Sequence, residues 1–369
     1  MIDKASGQKK IEELQEQYSK TKYNKATNKY LGILRAKIAK VKHEMESRGR
    51  RKGAGYSVRK SGNATVVLVG FPNAGKSSLL KALTGAQSRV ADYAFTTLDV
   101  IPGMLEYNGA KIQILDLPGL IQGMHVGRGG SMKVVSVIRI ADMILFVIDI
   151  NQHQQIFQLV EELNLLGIRV NRKKPEIRIE VRQAGGVHAE PNGHRVPDPR
   201  VVQSILNEFK IFNAVVSFYA DASDQDFIDF AAGNCVYLRG AVALNKIDTV
   251  DQRKAAAVEK EIRAGTGMEV IQISAKMAEN IDMLKKAVFD GLGLIRIFLK
   301  PKDGQPDFIN PLVLEKGSNV ADVVRKINTK LAGSIRYAMV SGPSAKFPNQ
   351  RVGEDHRVMD GDIVTVIFS

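Results

Sequence analysis

Two kinds of apolar spacing run along this chain and divide it. Between residues 9 and 47, apolar positions recur every three or four: Ile11, Leu14 and Tyr18, then Leu31, Leu34, Ile38, Val41 and Met45. That period places an apolar stripe on each of two helices, over about residues 9–20 and 26–46, with a break at 21–24. After residue 62 the pattern changes to short continuous apolar runs at 65–69, 143–149, 241–244 and 271–273. Such runs suit strands buried on both faces of a parallel sheet. Helical stretches follow them at about 78–83, 153–166, 251–263 and 280–290. Residues 100–107 and 111–115 form a hairpin around Asn108-Gly109, a strong turn signal. The alternation predicts an α/β fold built on a parallel sheet.

About seventy residues separate the helix ending near Gly167 from the strand at Ala241, too many for a loop. Within them, 176–181 and 214–219 read as strands and 201–209 and 224–231 as helices. This predicts a small α/β subdomain inserted at 168–238, with residues 191–199, which include His194, and the nearby His188 as exposed loop. From about Leu292 a further unit begins. Residues 307–314, 335–340 and 362–368 read as strands and 319–331 as a helix, with Met359-Asp360-Gly361-Asp362 as the last turn. That order suggests a ubiquitin-like (β-grasp) sheet crossed by one helix. It carries no catalytic constellation and reads as a binding module. The expected organisation is a basic helical hairpin and linker at 1–62, an α/β domain at 63–291 containing the 168–238 insertion, and the β-grasp domain at 292–369.

Composition narrows the classes. The chain has 369 residues, more than one compact core holds. Its 44% apolar and 25% charged content is ordinary for a globular protein. No uninterrupted apolar stretch reaches the roughly 18 residues of a membrane span, and the polar N-terminus lacks the apolar core of a signal peptide. Cys235 is the one cysteine, so an intrachain disulfide is impossible and an intracellular location is expected. Net charge is +14, and residues 1–62 hold 17 Lys and Arg against 6 Asp and Glu. A solvated helical face explains part of that excess. So one-sided a block favours a polyanion partner, RNA or a ribosomal surface, met by Lys25, Lys29, Lys37, Lys40, Lys42 and the basic linker at 47–55.

The chemistry centres on Gly70-Phe71-Pro72-Asn73-Ala74-Gly75-Lys76-Ser77, which fits G-x-x-x-x-G-K-[ST] between an apolar run and a helix start at Ser78. Glycines let backbone N–H groups turn around a triphosphate, and the helix N-terminus adds partial positive charge. Lys76 reaches the β- and γ-phosphates, and the Ser77 hydroxyl can ligate Mg²⁺. Phe95-Thr96-Thr97-Leu98-Asp99 follows at the distance of a switch loop. Asp116-Leu117-Pro118-Gly119 ends a strand; there Asp116 can hold a water of the Mg²⁺ shell and the Gly119 N–H can touch the γ-phosphate. Asn245-Lys246-Ile247-Asp248 ends another. A carboxylate at Asp248 accepts from guanine N1–H and the exocyclic amine together; adenine offers no such pair. Asn245 and Lys246 brace that loop and cover the base. Backbone N–H groups of Ser274-Ala275-Lys276 can meet guanine O6.

Together these motifs, with the basic hairpin before them and the insertion between them, resemble the Obg-related GTPases, specifically the DRG (developmentally regulated GTP-binding, Rbg-like) branch. The resemblance covers nearly the whole chain, and its C-terminal unit looks like a TGS domain. It implies a cytoplasmic P-loop GTPase that binds GTP and GDP and is linked to ribosomes and translation, with an accessory protein in some lineages. Carried over by position, Ser77 and Thr97 are Mg²⁺ ligands, Asn73 is a K⁺ ligand standing in for an arginine finger, and Lys76, Thr97, Gly119 and Asn73 serve catalysis. Leu120 stands where Ras-like enzymes carry a water-orienting glutamine, which implies slow intrinsic hydrolysis. An alternative is a nucleotide-occupied regulatory scaffold with negligible hydrolysis. An ATP-using enzyme is disfavoured by Asp248.

Overall fold

The structure, a computed structural model, describes residues 4–21, 28–49, 60–85, 101–117, 129–331 and 334–368. The chain opens with α1 (Lys4–Lys20) and α2 (Asn28–Gly49). Then come β1 (Ala64–Val69), α3 (Lys76–Thr84), the hairpin β2 (Ile101–Tyr107) and β3 (Ala110–Asp116), α4 (Gly129–Ile140), β4 (Met143–Asp149) and α5 (Gln155–Leu165). The hairpin turns where expected: Asn108 and Gly109 have φ of 50° and 76°, the left-handed pair of a type I′ turn. Next are β5 (Ile168–Val170), β6 (Ile177–Val181), β7 (Val187–Glu190), α6 (Pro199–Glu208), β8 (Ala214–Phe218) and α7 (Asp224–Ala232). The chain continues through β9 (Val236–Asn245), α8 (Gln252–Thr266), β10 (Glu269–Gln272) and α9 (Ile281–Gly291). It closes with β11 (Leu294–Leu299), β12 (Leu312–Glu315), α10 (Val320–Ile327), β13 (Ile335–Ser341), β14 (Gln350–Val352) and β15 (Asp362–Phe368). No helix among the described residues is long and apolar enough to cross a membrane.

Contacts divide the chain into two compact units, residues 1–56 with 162–237, and residues 57–161 with 238–369. In the second, the main sheet runs β10-β9-β4-β1-β3-β2. Along that path each pair is parallel except β2–β3, and β5 pairs with β9 off the path. The continuous apolar runs have their reason here: β1 is buried along its whole length, and Ile144, Leu145, Phe146 and Val147 of β4 are fully enclosed. Parallel pairing brings the carboxyl ends of β1, β4 and β9 to one edge, where α/β sheets bind ligands.

The same unit carries the C-terminal sheet, ordered β12-β11-β15-β13-β14, with β11 and β15 parallel at its centre and α10 across it. Asn319 and Asp322 start α10 with a reciprocal capping box. This is the expected β-grasp topology with two local corrections. The first strand is Leu294–Leu299, which the sequence pattern did not single out. Leu294 packs in the nucleotide-domain core and Ile295 and Ile297 in the β-grasp core, so both faces carry apolar residues and the apolar–polar alternation of a half-exposed strand is missing. The strand expected over 307–314 shrinks to Leu312–Glu315 because Asp307 Oδ1 accepts from the N–H groups of Ile309 and Asn310, both at 3.0 Å, and curls the backbone.

The other unit joins the helical hairpin to the insertion. The sheet β6-β8-β7 packs against α6 and α7, and the insertion is the small α/β fold the pattern predicts, with the unforeseen strand β7 parallel to β8. Asp198 before Pro199 caps α6, and a Ser223/Asp226 capping box starts α7. Ala36 of α2 is fully buried in the same cluster as Val202, Ile205, Phe218 and Phe227, so the hairpin shares the insertion's core. Lys37 reaches Glu208 at 3.9 Å.

Candidate functional site

β1 delivers the chain into the loop 70–77. Gly75 has φ 96°, and a β-carbon there would strike Nδ2 of Asn245, so both backbone and space demand glycine. Asn73, at φ 64°, is exposed at the loop's crest. Among the described residues no side chain caps α3. Its first-turn N–H groups therefore stay available to an anion. The Lys76 ammonium donates to the carbonyls of Gly70 and Phe71 at 2.8 and 3.1 Å. Burial holds its pKa below the ordinary lysine value, against the opposite pull of Asp116.

The Ser77 hydroxyl donates to Asp116 Oδ2 at 2.8 Å. Asp116 is 1% exposed, and its Oδ1 is buried with no hydrogen-bond partner among the described residues. An orphaned carboxylate oxygen beside a hydroxyl is a set of hard oxygen donors, which fits Mg²⁺. Leu117, also 1% exposed, anchors the strand end.

On the opposite side of the loop, β9 presents Asn245. Its Nδ2 donates to the Ala74 carbonyl at 2.8 Å, and its Oδ1 accepts from the Ala275 N–H at 2.9 Å. One amide thus ties together the phosphate loop and the Ser-Ala-Lys turn. The Ala275 N–H, expected to face guanine O6, is engaged by Asn245 in this structure. Ile247 donates to the Ile273 carbonyl at 3.2 Å. Buried Ser274 donates from Oγ to Asp248 Oδ1 at 2.7 Å, and that Oγ accepts from the Met277 N–H at 3.1 Å. Asp248 is exposed at the rim with its carboxylate already oriented, and Lys276 lies exposed beside it.

Residues 65–181 match the family described as "50S ribosome-binding GTPase", 184–294 match the "C-terminal region of MMR_HSR1 domain", and 295–368 match the TGS domain. An uncharacterized GTP-binding protein of Methanocaldococcus jannaschii is 43% identical over 98% of this chain and 93% of its own. Human developmentally-regulated GTP-binding protein 2 is 38% identical over 97% of this chain and 98% of its own. The solved YchF GTPase of Schizosaccharomyces pombe covers 84% of this chain and 99% of its own at 14% identity, with a TM-score of 0.45. This chain belongs to the DRG family of Obg-related GTPases.

In the DRG chain the structure brings together the phosphate loop, Ser77, Asp116, Leu117 and the 245–248 and 274–276 segments. Phe95, Thr96, Thr97, Leu98 and Asp99, and likewise Pro118, Gly119 and Leu120, lie outside the described residues. One contributor carries no motif. Asp149 ends β4 opposite Asn245 of β9, and its Oδ2 accepts from Lys246 Nζ at 2.7 Å. Burial alone would raise this carboxyl's pKa, but Lys246 and the N–H of Asn151 hold it below the usual carboxylate value. The signal that finds it is position: the carboxyl end of a central parallel strand.

Proposed function

We propose that this DRG-family chain binds GTP and GDP and hydrolyses GTP as a slow molecular switch. The observation that carries the reading is the base-side arrangement, in which Asp248 is oriented by Ser274 while Asn245 joins the same loop system to Ala74. A fixed carboxylate there selects guanine over adenine, because adenine would leave its oxygens without donors. On the phosphate side, Lys76 would exchange the carbonyls of Gly70 and Phe71 for phosphate oxygens, and the uncapped start of α3 would receive the β-phosphate.

Ser77 would hold Mg²⁺ directly and Asp116 through a water, with Thr97 as the further ligand that family resemblance suggests. The charge of a Mg²⁺ ion held by these residues would offset the negative charge that develops on the phosphate oxygens. Asn73, exposed at the crest, is the proposed ligand for K⁺, whose charge would take the place of an arginine finger. Gly119 would contact the γ-phosphate through its N–H.

The charge of residues 1–62 supports a ribosomal or RNA partner in the cytoplasm, with the TGS domain as a second contact and an accessory protein as a further partner. Leu120 in the water-positioning place favours a second reading, a nucleotide-occupied scaffold.

Hydrolysis by purified protein, measured in KCl and in NaCl with and without ribosomes, separates the two. Stimulation by K⁺ and ribosomes supports the switch; a flat, near-zero rate despite tight GTP binding supports the scaffold. Competition between GTP and ATP, repeated with Asp248→Asn, tests the base assignment, and equal affinity for both nucleotides would sink it.

A further inference from the structure

β4 and β9 are parallel neighbours, and their exits run side by side. Asp149 lies opposite Asn245 in the register. After Asp149 the chain makes a 3₁₀ turn, Ile150–Gln152, which Asp149 caps by accepting from the Asn151 N–H at 2.9 Å. After Asn245 it makes a second, Ile247–Thr249, which contains Asp248. Two polar ties join these turns. Lys246 Nζ donates to Asp149 Oδ2 at 2.7 Å, and Asn151 Nδ2 donates to Thr249 Oγ1 at 3.0 Å. Thr249 Oγ1 in turn donates to the Lys246 carbonyl at 2.8 Å, which closes the circuit. Asp248 stands between the two tied residues.

We infer that Asp149 and Asn151 form a positioning bracket for base recognition, holding the 246–249 turn so that Asp248 meets the guanine edge in a fixed orientation. The inference rests on the reading of this site as a guanine-nucleotide site. Lys246 has φ 66°, a left-handed conformation a non-glycine residue keeps only when its surroundings hold it there. Asp149 is the carboxylate against that residue: its side chain is 13% exposed and the lysine's 34%, so the pair is partly shielded from water. Anchoring the ammonium on β4 fixes the methylene run between the 246–249 backbone and Asp149, leaving an apolar stretch of defined course beside the base-reading carboxylate. Asn151 restrains the far end of the same turn. A turn held at both ends loses less freedom when a base enters, and its carboxylate discriminates more sharply. Asp149 touches no substrate atom in this scheme; it acts through Lys246.

The test uses the full chain and fluorescent GDP, with GTP, ATP and inorganic tripolyphosphate as competitors. Asp149→Ala and the double variant Asn151→Ala/Thr249→Val are each expected to weaken GDP binding about tenfold and to narrow the GTP-to-ATP preference by a similar factor. Tripolyphosphate affinity is expected to stay within about twofold, because the phosphate loop is untouched. Asp149→Asn, which keeps an acceptor for Lys246, is expected to recover part of the loss. In a Lys246→Ala background, Asp149→Ala is expected to cost little more.

Equal loss of GDP and tripolyphosphate binding would assign Asp149 a general structural role and overturn the inference. So would a full loss that persists in the Lys246→Ala background, or unchanged affinity and preference in Asp149→Ala. A wild-type protein with no preference for GTP over ATP would instead defeat the guanine-site reading itself, which separates the two failures.

Discussion

Asn245 and Ala74 lie 171 positions apart in the chain and meet at 2.8 Å, side-chain amide to backbone carbonyl. The bond makes the 245–248 segment and the phosphate loop one mechanical part. Removing it with Asn245→Ala leaves the Ala74 carbonyl and the Ala275 N–H without their partner. The expected result is a GDP affinity lower by about 10- to 100-fold, the equivalent of about 1–3 kcal/mol. Labelled-GDP titration and dissociation kinetics check it, and an unchanged off-rate would show that the amide braces nothing.

Lys76 gives a pH signature. Its folded-state pKa is depressed by burial, below the ordinary value of about 10.4. Between those two values the unfolded chain binds a proton the native chain lacks, so stability rises with pH across that window; below it, the cost of burying the charge is present in full. A bound triphosphate restores the charged form. Nucleotide binding is therefore expected to take up protons on the alkaline side and none near neutrality. Calorimetry in two buffers of different ionisation enthalpy reads this directly.

The proposed metal site rests on Ser77 and Asp116. Ser77→Ala removes the hydroxyl that reaches Asp116 Oδ2. It is expected to lower GTP affinity about tenfold or more in Mg²⁺ while changing affinity in EDTA by less than about twofold. Equal effects in both conditions would argue against a metal ligand.

Away from the site, Arg169 and Asp229 form an ion pair whose side chains are 7% and 4% exposed, with NH2 donating to Oδ1 at 2.7 Å. Asp229→Ala strands a buried guanidinium and is expected to cost about 3–5 kcal/mol in denaturant unfolding. Arg169→Met/Asp229→Leu together removes both charges and is expected to cost far less. Similar losses in the two variants would mean that packing, not charge, dominates there.

The fold class and the nucleotide motifs were legible because they depend on local rules. A buried parallel strand needs an uninterrupted apolar run, which β1 and β4 have. A type I′ turn needs left-handed residues, supplied by Asn108-Gly109. The failures were also physical. β11 serves two cores at once, and nothing in its own composition distinguishes that from the end of α9. Asp307 ends extended structure through hydrogen bonds that propensity along 307–314 does not register.

By itself the sequence determined the α/β class, the long buried strands β1 and β4, the Asn108-Gly109 turn and the motifs that mark a GTP-binding family, since those follow from backbone sterics, apolar period and donor or acceptor identity. The tertiary structure alone decided that α2 shares the insertion's core through Ala36, that Asn245 reaches Ala74, and that Asp149 holds Lys246. Those pairings arise from strand order and parallel register, which set residues far apart in the chain side by side at one sheet edge; no local pattern contains that distance.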